Sequence, residues 1–175
     1  MVKPIFLFGL LLSCKILSQI TGNRTVTLTL PVVTLMDVEP AGAISLNYTA
    51  PTEAGNAITV PAANTTKWIN YTSAITASGA ARRITASISQ IIPGTDIRIQ
   101  AAAASGSGGG TLGTPSAQVV LTTAAQTIIS GIGGAFTGNG ANNGHRLAIT
   151  LTNNTYADLT ARTNTPIVIT YTITE

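Results

Sequence analysis

The chain has 175 residues, 45% of them hydrophobic and only 9% charged, with nine Lys and Arg against six Asp and Glu. That is apolar material enough for one buried core, and it excludes a chain kept disordered by low hydrophobicity and high charge. Apart from Arg82-Arg83 there is no basic run, so the sequence offers no stripe for neutralising phosphates, and no nucleic-acid partner is expected.

The opening, MVKPIFLFGLLLSCKILSQITG, places Lys3 before an apolar run from Pro4 to Cys14, the order of a secretion signal. Lys15 breaks the run well short of the roughly 20 apolar residues of a membrane-spanning helix. Residues 1–18 are therefore expected to be a signal peptide cut after Ser18, and residues 19–175 a single domain, secreted or held on the outer cell surface. Cys14 lies in LLSC, a partial likeness to the lipobox of bacterial lipoproteins. In that alternative a lipid on Cys14 is the only membrane link. Cys14 is also the only cysteine, so after plain signal removal no disulfide or thiolate chemistry is expected. Without Lys3 and Lys15, seven basic residues face six acids, a net of +1.

Beyond residue 22 the dominant signal is alternation. In NRTVTLTLPVV, Val26, Leu28 and Leu30 alternate with threonines until Pro31, which predicts a strand ended by proline or pushed to a sheet edge. AISLNYTAP sets Ile44, Leu46 and Tyr48 against Ser45, Asn47 and Thr49, and KWINYTSAI sets Ile69, Tyr71 and Ile75 against Trp68, Asn70 and Thr72. RRITASI gives Ile84, Ala86 and Ile88 one face, and Pro93-Gly94 then marks a turn. IRIQA gives Ile97, Ile99 and Ala101 one face. SGSGGGTLGTP reads as a flexible loop, and AQVVLTT and QTIIS as short apolar strands. GIGGAFTGNGANNG reads as a long loop folded back by Ile132 and Phe136. RLAITLT presents Leu147, Ile149 and Leu151, and TPIVITYTITE presents Ile167, Ile169, Tyr171 and Ile173.

Eight to ten short strands punctuated by Gly and Pro predict an all-β fold, an antiparallel two-sheet sandwich of immunoglobulin-like or jelly-roll type. In such a fold each strand buries one face and wets the other, which is what the stripe in TPIVITYTITE expresses.

Little in the sequence carries chemistry. His145, the single histidine, has no nucleophile motif around it and is expected at the surface or a strand edge. Asp37 and Glu39 stand two apart without a third acid nearby and read as an exposed strand end. GIGG and GNG lack the following helix and the lysine of a phosphate-binding loop. No enzyme activity, cofactor or metal is expected. Asn-X-Ser/Thr sequons begin at Asn23, Asn47, Asn64, Asn70 and Asn153.

The stretch IIPGTDIRIQAAA, the Gly-rich loop after it and the ending TPIVITYTI resemble bacterial secreted β-sandwich subunits, the archaic chaperone–usher pilins and spore-coat-U-like surface proteins. The resemblance covers about the second half of the chain. It implies a sandwich exported to the cell surface, and the chain departs from many such pilins in lacking their paired cysteines. Two functions are open at this stage. One is a structural or adhesive subunit that associates with itself or other surface proteins by strand addition, donating Val26, Leu28 and Leu30 to an acceptor. The other is a glycan- or ligand-binding module built from Gly131 to Gly144 and Ser105 to Thr114, with Trp68, Asn139, Asn142 and Asn143 as contacts.

Overall fold

A computed structural model describes residues 21–175. The predicted signal, its cut after Ser18 and the lipid on Cys14 lie outside the described residues. The chain falls into two units divided between Leu30 and Pro31. Residues 21–30 are exposed and without regular structure.

The second unit is built from nine strands: β1 (Val33–Glu39), β2 (Asn64–Ala74), β3 (Arg82–Ile88), β4 (Thr95–Ala101), β5 (Gly109–Pro115), β6 (Val119–Val120), β7 (Gln126–Phe136), β8 (His145–Asn153) and β9 (Ile169–Thr174). Every pairing is antiparallel. The predicted all-β antiparallel class is thus what the chain adopts. The nine strands form one hydrogen-bonded network rather than two separate sheets, because two long strands divide their pairing. β2 carries β1 along one edge, while its other edge pairs with β8 from Asn64 to Ile69 and with β7 at Thr72 and Ser73. β7 carries β5 on one edge and β3, then β2, on the other. Two arms result, β1-β2-β8-β4-β6 and β5-β7-β3-β9. One apolar cluster takes Ile69, Ile97, Ile99, Leu147 and Ile149 from the first arm and Ile84, Ile128, Ile129 and Ile132 from the second.

Alternation located most inward faces correctly. β3, β4 and β8 bury Ile84, Ala86 and Ile88, Ile97, Ile99 and Ala101, and Leu147 and Ile149. Four expectations need correction. The stretch from Thr25 to Leu30 forms no strand, and the first strand starts at Val33. Ile44 to Thr49 makes only one isolated bridge, Thr49 with Thr59. The two predicted glycine loops are partly strand: Gly109–Pro115 is β5, and β7 continues through Gly131 to Phe136. His145 is fully buried rather than superficial.

The glycines misled because they serve close backbone approach. Gly110 has φ +86°, and a Cβ there would collide with the Gly134 carbonyl of β7. Gly110→Ala is expected to combine left-handed strain with overpacking, costing about 3 kcal/mol or more. A thermal melt should register this as a fall of roughly 10 °C for a domain this size.

Candidate functional site

Among the described residues four strands end the network: β1, β5, β6 and β9. An open strand edge is a template for pairing with another chain, and most proteins blunt theirs with charge, proline or shortness. β1 carries Asp37 and Glu39, β5 carries three glycines and Pro115, and β6 is two residues long. β9, ITYTIT, has none of these protections. It pairs with β3 through six residues, Ile169 to Thr174, and among the described residues has no strand on its other side.

Beside that free edge the core is open. Ile167, Ile169, Tyr171 and Ile173 point inward but stay only partly buried. Three adjoining depressions of about 380, 150 and 380 Å³ share Ile44 and Ile167 in their walls, forming one groove. Ile97, Ile149 and Leu151 from β4 and β8 floor it, and β9 forms one wall. The other wall is the segment from Ala43 to Thr49, where Ile44, Leu46 and Tyr48 are half-buried and Ser45 and Asn47 exposed. Apart from the bridge of Thr49 with Thr59, this segment alternates like a strand but pairs with no other strand among the described residues.

Polar anchors hold this wall. The Lys67 ammonium donates to the Pro40 and Gly42 carbonyls at 2.5 and 2.6 Å, and the Tyr48 hydroxyl shares a 3.1 Å hydrogen bond with Thr95 Oγ1. Burial pushes the phenol pKa of Tyr171, in the groove, well above its usual value, so the groove stays uncharged at that position. Arg82, buried at the sheet's end, donates to the Val33 carbonyl at 2.5 Å and to Ser73 Oγ at 2.9 Å. That contact fixes β1 immediately after the unit boundary, so residues 21–30 are not needed to hold it.

The proposed donor side chains are all available. Val26, Leu28 and Leu30 are 87%, 87% and 79% exposed, a large cost for a soluble segment unless something covers them. The ligand candidates fare differently. Trp68 is half-buried on the outer face of β2, between Glu39 of β1 and Arg146 of β8. Asn139 and Asn142 are exposed, Asn142 with φ +68°. Asn143 is occupied internally: its Oδ1 accepts from Ser107 N and Oγ at 3.0 and 3.2 Å, and its Nδ2 donates to the Asn139 carbonyl at 2.8 Å. The two Gly-rich segments do meet, through Ser107 and Asn143 and the paired bonds of Ser105 with Gly144.

No protein-family model, curated protein or solved structure matches this chain. The site must therefore be read from its own geometry. Among the described residues no helix is long and apolar enough to cross a membrane, and no three His, Cys, Asp or Glu side chains gather as metal ligands. Sequence reasoning named the donor-like segment but missed its counterpart. The free edge of β9 is a property of strand order, which no local pattern encodes. The one usable signal was negative, the lack of any charge or proline from Ile167 to Thr174.

Proposed function

We propose that the protein is a non-enzymatic structural subunit, secreted or displayed on the outer cell surface, that assembles with copies of itself by strand addition. Residues 25–30 of one copy lie along the free edge of β9 in the next. The unprotected β9 edge beside an open apolar groove is the observation that carries this reading. Backbone N–H and C=O groups of the donated segment complete the ladder, and its alternate side chains fill the groove. Val26, Leu28 and Leu30 have the i, i+2, i+4 spacing of Ile169, Tyr171 and Ile173, so donor and wall keep step over their whole contact. Burying each of these side chains is worth roughly 1.5–3 kcal/mol before the cost of ordering the segment. The resemblance to pilin-like secreted subunits points the same way.

A synthetic peptide of residues 21–32 tests the pairing directly. Added to the protein, it is expected to bind saturably and raise the melting temperature. At a hundredfold excess over its dissociation constant the stabilisation should reach about 2.7 kcal/mol. The same peptide with Leu28→Asp should do neither. Equal effects from the two peptides would rule out insertion of the apolar face.

A further inference from the structure

A second concavity lies on the other side of β1. Residues 35, 37 and 39 face outward, whereas Val38 lines the groove beside β9. Cross-strand register places Leu35 beside Thr72 of β2 and Thr72 beside Phe136 of β7, and in the next row Asp37 beside Asn70. The turn at Gly138 and Asn139 closes the end, leaving a depression of about 430 Å³.

Its lining is unusual for a surface that only meets water. Leu35 and Phe136 are 66% and 53% exposed, so an apolar side chain and an aromatic ring flank the hollow. Between them stand hydrogen-bonding groups with unused capacity. Asn70 is only 5% exposed; its Nδ2 donates to the Asn143 carbonyl at 2.7 Å, while its Oδ1 has no partner among the described residues. A buried amide oxygen left unpaired is costly and calls for an enclosed water or a small shift of the side chain toward the depression it lines. One Asp37 carboxylate oxygen accepts from Val38 N at 2.7 Å, and the other is uncommitted among the described residues. No Lys or Arg lines the depression. The Asn143 side chain ties Asn139 and Ser107 together, so this wall is set before any ligand arrives, which lowers the cost of binding.

We infer that this depression is a binding site for a neutral saccharide. A ring surface with a few fixed amide and carboxylate groups suits a ligand that has an apolar C–H face and a rim of hydroxyls. The face of one sugar packs on Phe136, and its hydroxyls donate to Asp37 and exchange hydrogen bonds with Asn139. An acidic sugar is disfavoured, because Asp37 would repel it and no cation is present to offset the charge. The site is separate from the β9 groove, so an assembled subunit can still bind glycan.

Trp68 offers a built-in reporter. It is the only tryptophan and sits two residues along β2 from Asn70, about 7 Å away on the same face. The exported protein is titrated with maltotriose, cellotriose, tri-N-acetylchitotriose and trigalacturonate, following Trp68 fluorescence and heat. Saturable binding of at least one neutral trisaccharide is expected, weakened at least about tenfold by Phe136→Ala and by Asn139→Ala. Trigalacturonate should bind at least about tenfold more weakly and recover with Asp37→Asn. Both alanine sites are exposed, and unchanged circular dichroism and melting confirm the fold. The inference is overturned if no neutral trisaccharide binds, if binding survives Phe136→Ala, or if trigalacturonate binds equally well. It is also overturned if Phe136→Ala alters only self-association, which would make the face a contact between copies.

Discussion

Replacing Leu28 and Leu30 together by aspartate is expected to abolish the proposed self-assembly while leaving each subunit folded. Both side chains are exposed in the isolated chain and lie outside the nine-stranded unit. Surface changes of this kind usually alter stability by within about 0.5 kcal/mol. In the assembled form the same positions would lie over Ile149 and Leu151 in the middle depression, whose walls are aliphatic apart from Thr165, while Lys67 and Arg162 line only the flanking depressions. The desolvation cost of two unpaired charges far exceeds what pairing along one strand returns. Native sizing before and after the substitution checks this: large species should give way to a single monomeric peak with an unchanged melt. If the double variant still polymerises, the segment is not the donor.

His145→Ala should be the most damaging single change within the fold. The ring is fully buried and stacks on Tyr71, with centroids 5.8 Å apart and planes 16° from parallel. Nδ1 lies 2.8 Å from the Ala102 carbonyl and Nε2 lies 3.0 Å from the Tyr71 hydroxyl, which itself donates to the Leu112 carbonyl. Burial also pushes the Tyr71 phenol pKa well above its usual value, so the hydroxyl remains a donor. Removing the imidazole leaves a cavity and orphans the Ala102 carbonyl, a combined cost of about 3–5 kcal/mol. Chemical denaturation should show it as a lower midpoint with an unchanged slope. Tyr71→Phe keeps the stack and loses only the hydroxyl, so it should cost about 1–2 kcal/mol. If the alanine variant were as stable as the parent, the cluster would have no structural role.

That cluster also shows where sequence reasoning stopped. Strand faces were legible wherever alternation was strict, as at Ile97 and Ile99 or Leu147 and Ile149, because one buried flank imposes a period of two. His145 was misplaced because its environment comes from Tyr71, Ala102 and Leu112, 33 to 74 residues away in the chain. Gly110 and Gly134 read as loop because glycine signals both turns and tight backbone contact. Ile44, Leu46 and Tyr48 did turn inward, but alternation reports burial rather than hydrogen bonding, so their lack of a ladder was invisible. Of the sequons, Asn70 is buried in the folded chain.

The most direct test of strand addition is hydrogen exchange across residues 167–175 in the assembled protein and in the Leu28→Asp, Leu30→Asp monomer. In the monomer β9 has one unpaired edge, and its outward amides should exchange freely. In the assembly they should be protected by at least about a hundredfold, roughly 2.7 kcal/mol of added opening energy. The edges of β1 and β5 should be unchanged. Equal exchange of β9 in the two states, or new protection confined to β1 or β5, would contradict the account.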